Sequence, residues 1–266
     1  MHTSDKQYKI GLALSGGGAR GFAHIGVLMA LEKFNITPNI VSGVSAGAIV
    51  GALYCDGYTP DEIVSLFKGE HFKNFARFSF HKVSLFQTQE FQSFMRRKLK
   101  AISFDKLNTP LKIIVTNLDR GISETINDGE IASAVVASSS LPVIFPPIVI
   151  NGHNYVDGGV LRNFPVIPIR KECEFVIGVN VNPLKLGEYK KNILTIAERC
   201  YSMMYRSNSN EDSRMCDLLI EPYEAVDYSI FDLNHIDQII SFGYNEAMKK
   251  LDEYDKKGLL PNKNID

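Results

Sequence analysis

Short apolar runs alternate along this chain with longer stretches in which apolar residues recur every three or four positions. The short runs have the length and composition of buried strands, and the longer stretches have the period of helices that bury one face. Strands are predicted at 9–14, 39–44, 111–116, 122–126, 148–150, 155–156, 175–181 and 218–220. Helices are predicted at 22–35, 46–53, 60–68, 89–99, 129–137, 193–214 and 237–254.

This alternation of strands and helices defines the expected architecture. Parallel strands need a crossover connection, which is usually a helix, so the order predicts an α/β fold with three layers and a mainly parallel central sheet. Asn151-Gly152, between two of the short strands, indicates a hairpin turn. The pattern contains no internal repeat and no low-complexity linker, so we expect a single domain over residues 1–266.

Composition and charge then exclude several classes of protein. The 29 Lys+Arg are balanced by 30 Asp+Glu, which leaves no basic surface of the kind that nucleic acid requires. No apolar run approaches the ~18 residues of a membrane-spanning helix, and the polar start MHTSDKQYK lacks the apolar centre of a secretory signal. We therefore expect a cytoplasmic protein. The four cysteines lack zinc spacing, and no calcium or flavin signature is present, so we expect reduced thiols, no metal and no cofactor.

The first candidate for chemistry is Gly43-Val44-Ser45-Ala46-Gly47, which fits the pattern GxSxG. A strand is predicted before the serine and a helix after it. This strand–turn–helix corner strains the serine backbone and exposes its hydroxyl above the sheet edge. The helix N-terminus also directs free N–H groups and a partial positive charge toward the corner, which favours a developing oxyanion.

A second candidate is the glycine-rich segment 15–21, SGGGARG, which also connects a strand to a helix. Consecutive glycines leave backbone N–H groups open to an anion. Gly16, Gly18 and Gly21 satisfy the dinucleotide pattern GxGxxG, but positions 34–44 lack the acidic residue that would bind a ribose. No GK[ST] follows, which excludes a Walker-type phosphate loop. The segment therefore fits an oxyanion hole beside the serine corner.

The third candidate is Asp157-Gly158-Gly159, which directly follows a predicted strand. A serine hydroxyl is a poor nucleophile until a base accepts its proton. Partial burial would raise the pKa of Asp157 above its reference value of about 3.9, as a base working near neutral pH requires. His235 stands in the order Ser…Asp…His, so a triad that includes it remains open at this point.

Together the three motifs closely resemble the patatin-like phospholipase family, which carries GGGxRG, GxSxG and DGG in this order. The matching residues are 16–21, 43–47 and 157–159, and the stretch 137–147 resembles the family segment that precedes DGG. The resemblance covers residues 8–182 and is greatest to bacterial single-domain members. It implies a serine acyl hydrolase that cleaves fatty-acyl esters of phospholipids or other lipids through a Ser–Asp dyad without histidine.

The resemblance also implies roles for particular residues. Ser45 would be the nucleophile, Asp157 the base, and the N–H groups of Gly16, Gly17 and Gly18 the oxyanion hole. Support for the motifs would come from Gly43, Gly47, Gly158, Gly159 and Arg20. Arg20 would orient the glycine-rich loop, offset negative charge or pair with a surface acid.

Two alternative functions remain open, and one segment of the chain is compatible with several roles. The alternatives are a Ser–Asp–His esterase that uses His235 and a non-catalytic module that binds acyl chains or anions. The segment 72–86 mixes phenylalanines with basic residues. Such a mixture is compatible with peripheral contact with an anionic membrane, with an acyl pocket or lid, or with a loop packed on the core. A lipid or acyl ester is the expected partner, and nothing in the sequence indicates an oligomeric state.

Overall fold

The strands of the protein form one mixed sheet, seen in a computed structural model that describes residues 6–68, 85–183 and 192–261. The strands of this part of the chain are β1 (Tyr8–Leu14), β2 (Ile40–Gly43), β3 (Leu111–Asn117), β4 (Ile122–Ile126), β5 (Ile148–Ile150), β6 (His153–Asp157), β7 (Cys173–Val179) and β8 (Leu218–Ile220). Their order in the sheet is β5-β6-β3-β2-β1-β7-β8, with β4 also paired to β3. The five strands β3, β2, β1, β7 and β8 are mutually parallel, and β4, β5 and β6 join through antiparallel pairs.

Helices cover the two faces of this sheet. In the described residues they are α1 (Phe22–Lys33), α2 (Ala46–Cys55), α3 (Pro60–Lys68), α4 (Leu85–Lys98), α5 (Ile131–Ser138), α6 (Ile167–Arg170), α7 (Ile193–Arg214) and α8 (Ile236–Lys256). Alternate side chains of β1 point to opposite faces. Leu12 and Leu14 pack in the large core with α1, α2, α5 and α8, whereas Ala13 packs on the other face with Phe164 and Ile169. The predicted three-layer α/β fold is confirmed.

Strand β3 brings two distant parts of the chain together. β4 occupies one edge of β3, while β2 and β6 share the other edge. Gly43 at the end of β2 lies opposite Ile113, and Asp157 at the end of β6 lies opposite Val115. Because β2 runs parallel and β6 antiparallel to β3, their carboxyl ends approach each other along this edge. Measured along β3, the two strand ends are two residues apart, which corresponds to about 7 Å.

Most predicted elements are observed close to their predicted positions. β4, α7 and β8 have the predicted bounds, and the Asn151-Gly152 hairpin is confirmed by positive φ angles of 51° and 81° at its two turn residues. These angles are those of a tight turn that matches the twist of the flanking strands. All four cysteines carry free thiols.

Several predicted boundaries differ from the structure; three of them follow, and local geometry explains the second and third. α4 begins at Leu85, four residues before the predicted start at 89. α5 begins at Ile131 rather than at Gly129, because Gly129 adopts φ 76° and Glu130 is extended. β7 ends at Val179 rather than at 181, because the Asn180 side chain accepts the N–H of Asn182 (3.1 Å) and turns the chain. Boundaries of this kind depend on single turn residues, which an apolar period does not report.

Candidate active site

Ser45 occupies the sharp corner between β2 and α2, as its motif predicts. Its backbone has φ 52° and ψ −119°, a strained conformation for a residue with a side chain. Close packing explains the second glycine of the GxSxG motif, because a Cβ at Gly47 would collide with the carbonyl oxygen of Leu14. The corner therefore lies directly on the end of β1, and the serine side chain lines the cavity above the sheet edge.

Asp157 ends β6 and caps the 3₁₀ turn Gly158–Val160. Its carboxylate accepts a hydrogen bond from the N–H of Gly159 (2.7 Å), and only 2% of the residue is exposed. A Cβ at Gly158 would overlap the carbonyl oxygen of Ile114, so glycine is required where this turn crosses β3. The DGG motif is thus a tight turn that buries a carboxylate beside the strand.

The register of β3 brings Ser45 and Asp157 into the same cavity. Burial raises the pKa of Asp157 from 3.8 to about 6, and interactions with the Ser45 hydroxyl and the Gly159 N–H lower it by less. Burial dominates because removing a carboxylate from water penalises its charged form. A carboxyl group with this pKa is mostly ionised at neutral pH and is still basic enough to accept a proton from a nearby hydroxyl.

The glycine-rich loop contributes two open N–H groups, not three. The N–H of Gly16 donates to the carbonyl oxygen of Asn163 (3.0 Å), so the expectation that Gly16 itself is an oxyanion donor is wrong. In the part of the chain that the structure describes, the N–H groups of Gly17 and Gly18 have no acceptor, and both glycines line the cavity with Ser45. Ala46, the first residue of α2, is a third candidate, since the first N–H groups of a helix lack intrahelical partners.

A buried chain of hydrogen bonds orients this loop. The side-chain amide of Asn182 donates to the carbonyl oxygen of Gly16 (2.6 Å), and its oxygen accepts from the guanidinium of Arg20 (2.9 Å). Arg20 also donates to the carbonyl oxygen of Tyr228 (2.8 Å). The C=O of Gly16 and the N–H of Gly17 belong to one trans peptide, in which they point in opposite directions. The hydrogen bond from Asn182 to the Gly16 oxygen therefore directs the Gly17 N–H away from Asn182. Of the roles open to Arg20, the contacts support orientation of the loop.

Neither of two histidines near the site meets the Ser45–Asp157 pair. His235, the candidate third member of a triad, has its Nδ1 2.7 Å from Asp232 Oδ2 and is absent from the cavity lining. His24 is completely buried, and burial lowers its pKa to about 4, so it is neutral. Its Nε2 lies 2.8 Å from the carbonyl oxygen of Ser15, which can only accept, so Nε2 carries the proton. His24 therefore stabilises the glycine-rich loop through its hydrogen bond to the Ser15 carbonyl oxygen.

The cavity around Ser45 is mainly apolar. Residues of α1, α2, α3, α4 and the segments after α5 and β8 form its wall: Phe22, Ile49, Val50, Phe67, Phe91, Leu141, Phe145, Ile230, Phe231 and Leu233. Such a lining suits a hydrocarbon chain bound next to a reactive group. Of the phenylalanine-rich segment 72–86, residues 72–84 lie outside the described residues, and so the interpretations of that segment stay predictions.

Two properties of the described residues concern metal ions and membranes. No group of three or more His, Cys, Asp or Glu side chains within 6–68, 85–183 and 192–261 is arranged to hold a metal ion. In the same ranges, every helix is either too short or too polar to cross a bilayer.

Sequence reasoning missed three residues that hold this site together. Asn182, Asn163 and Ser138 are all buried, and their contacts join segments far apart in the chain. Ser138 lies in the stretch 137–147 that resembles the family, which was a usable signal. Nothing local distinguishes Asn163 or Asn182, because their importance depends on partners more than 140 residues away.

Solved structures share this three-layer architecture. The structure of VipD from Legionella pneumophila superposes with a TM-score of 0.57 at 17% identity and covers 93% of this chain and 67% of its own. The type III effector protein ExoU gives a TM-score of 0.50 at 13% identity and covers 95% of this chain and 56% of its own. At these identities the likeness shows the class of fold: an α/β protein with a mostly parallel sheet between helices.

The sequence profile of the patatin-like phospholipases matches residues 12–169, more than half of the chain, and the chain belongs to this family. Lysophospholipase NTE1 of Meyerozyma guilliermondii is 34% identical over 184 residues, 65% of this chain and 12% of its own length. Its counterpart in Kluyveromyces lactis is 30% identical over 179 residues, with the same two shares. An uncharacterized NTE family protein of Mycobacterium tuberculosis is 27% identical over 205 residues, 76% of this chain and 57% of its own. The chain thus matches only part of these relatives.

Proposed function

We propose that this chain is a serine acyl hydrolase that cleaves fatty-acyl esters of phospholipids or other lipids by a Ser45–Asp157 dyad. The observation that carries the proposal is the meeting of a strained serine and a buried carboxylate in one apolar cavity. Family membership supports the lipid class of substrate, and the name of the yeast relatives favours lysophospholipids as the first lipids to test.

The reaction begins with proton transfer from the Ser45 hydroxyl to the Asp157 carboxylate as Ser45 Oγ attacks the ester carbonyl. The N–H groups of Gly17 and Gly18 stabilise the oxyanion of the tetrahedral intermediate. When this intermediate collapses, the C–O bond to the alcohol breaks, and protonated Asp157 supplies the proton to the leaving oxygen. An acyl ester of Ser45 remains.

The second half of the reaction consumes water. Asp157, ionised again, accepts a proton from a water molecule that attacks the acyl carbonyl. Collapse of the second tetrahedral intermediate releases the fatty acid, and the proton on Asp157 returns to Ser45 Oγ. The apolar wall of the cavity holds the acyl chain during both halves, which keeps the ester carbonyl beside the N–H groups.

Two measurements test the activity directly. Hydrolysis of p-nitrophenyl esters of increasing chain length, followed by hydrolysis of a lysophospholipid, is expected to show kcat/KM rising with chain length while the chain fills the apolar cavity. A fluorophosphonate is expected to label the peptide that contains Ser45, as identified by mass spectrometry. Folded protein that neither hydrolyses these esters nor reacts with the fluorophosphonate would favour the non-catalytic binding module instead.

The pH dependence of kcat/KM is expected to reflect Asp157. A base must be ionised, so activity should rise with pH and reach half its plateau near the raised pKa of Asp157, about 6. The measurement is kcat/KM for one p-nitrophenyl ester between pH 4.5 and 9. His235→Ala is the control, and it is expected to leave the profile unchanged. Loss of the acidic limb in His235→Ala would contradict the dyad and support the triad alternative.

A further inference from the structure

The end of α5 touches the backbone of both proposed catalytic residues. The N–H of Ser45 donates to the side-chain oxygen of Ser138 (2.9 Å). Two residues further on, the carbonyl oxygen of Ser140 accepts the N–H of Asp157 (2.9 Å). One short segment thus holds the serine corner and the end of β6 at the point where β2 and β6 approach each other.

The Ser138 hydroxyl connects this segment to β3. It is fully buried, accepts from Ser45 N–H and donates to the carbonyl oxygen of Ile114 (2.7 Å). Ile114 lies between the β3 residues that face Gly43 and Asp157. The Ile114 carbonyl is also where the Gly158 turn crosses β3 most closely. Ser138 therefore joins the serine corner to the strand that also positions the base.

Ser45 needs such a restraint because its backbone is strained. A residue with a side chain at positive φ persists only when its surroundings impose that conformation. In the described residues, Ser138 Oγ is the acceptor for the Ser45 N–H, and this bond fixes the peptide plane that enters the corner. The same bond engages the Ser45 N–H, so that N–H is not a donor to an oxyanion.

We propose that Ser138 is a positioning residue, which holds Ser45 in the strained conformation that directs its Oγ at Asp157. This inference rests on the proposed function, since it concerns the geometry of the Ser45–Asp157 pair. Ser138 does not contact the ester; it acts through the Ser45 backbone. Without its hydroxyl, the Ser45 N–H is left unpaired, the corner relaxes and Ser45 Oγ moves away from Asp157.

The separation of Ser45 and Asp157 has its own signature in the pH profile. The Ser45 hydroxyl lowers the pKa of Asp157, so a displaced Ser45 raises the pKa of Asp157 further. Among the described residues, the titratable side chains that interact with Asp157 are Tyr201 and Tyr205 of α7. Burial raises both of their pKa values, which keeps them neutral. A shift of the acidic limb therefore reports the Ser45–Asp157 contact itself.

The test compares Ser138→Ala with Ser42→Ala. Ser42 is equally buried, and its hydroxyl also donates to a backbone carbonyl, that of Pro165. Within the described residues, this hydroxyl makes no hydrogen bond to Ser45 or Asp157. Ser138→Ala is expected to lower kcat about 10- to 30-fold with KM nearly unchanged, in line with loss of one restraint on a strained residue. It should also slow fluorophosphonate labelling and move the acidic limb to higher pH. Ser42→Ala is expected to lose stability while keeping wild-type kcat and pH profile.

Further variants of Ser138 separate a loss of positioning from a loss of folding. Ser138→Thr retains the hydroxyl and is expected to keep most of kcat. Ser138→Cys nearly retains the side-chain volume but weakens both hydrogen bonds. It replaces Ser138→Ala in the test if Ser138→Ala does not fold. Wild-type kcat and pH profile in Ser138→Ala and Ser138→Cys, or equal losses in Ser42→Ala, would overturn the positioning role. Full activity in Ser45→Ala, measured alongside, would instead overturn the proposed function and this inference with it.

Discussion

Replacing Asp157 with Asn is expected to lower kcat about 10²- to 10⁴-fold, the range that a positioned general base contributes. The amide can still accept the Gly159 N–H through its oxygen, so the turn is expected to keep its shape. It cannot accept the Ser45 proton, and so the nucleophile stays neutral. The measurement is kcat for a p-nitrophenyl ester beside Ser45→Ala, which is expected to lose at least as much because the two residues act as a unit.

The controls for this prediction separate chemistry from folding. Asp56→Asn changes another buried carboxylate, one that accepts the N–H groups of Lys100 and Ala101, and it is expected to keep wild-type kcat. Asp157→Ala provides a second variant at the base, because an Asn before Gly158 can deamidate back to Asp. Wild-type kcat in both Asp157 variants would exclude Asp157 as the base.

Asp157→Asn also carries an expected effect on stability. The pKa of Asp157 in the folded protein, about 6, exceeds the unfolded value of 3.8. Its contribution to stability is therefore present at low pH and is lost as pH rises through 6, because the buried group must then carry a charge. At pH 8 the variant is expected to unfold at a temperature no lower than that of the wild type, as measured by thermal denaturation.

Replacing Asn182 with Asp is expected to lower kcat about 100-fold with little change in KM. A carboxylate can still accept from Arg20, but it cannot donate to the Gly16 carbonyl oxygen and repels it. The Gly16–Gly17 peptide then rotates, and the Gly17 N–H turns away from the cavity. Loss of one oxyanion donor commonly lowers kcat by about 10²- to 10³-fold.

The division between kcat and KM distinguishes this effect from a general loss of structure. The affinity for a trifluoromethyl ketone, which forms a tetrahedral adduct with a serine, is expected to fall in step with kcat. Asn39→Asp is the matched control, since Asn39 accepts the N–H of Ile10 at the opposite end of the sheet and a carboxylate can do the same. An increase in KM at constant kcat would show that Asn182 affects substrate binding rather than the oxyanion.

The sequence alone predicted the class of fold and the two residues at the centre of the site. Apolar period and turn residues identify strands, helices and the hairpin, because these depend on neighbours a few positions apart. The motif GxSxG with its strand and helix predicts the corner at Ser45, and DGG predicts the turn at Asp157. The structure finds both turns where the motifs predict them.

Only the tertiary structure decided how these local pieces meet. On the shared edge of β3, Gly43 and Asp157 lie opposite residues that are two positions apart. This arrangement depends on pairing between segments about 70 and 40 residues apart in the chain. The same holds for Gly16, whose N–H is used by Asn163, and for the contacts of Ser138 and Asn182. A local pattern reports which element a segment forms. It does not report strand register or the partner of a buried polar group, because both are set by packing between residues distant in the chain.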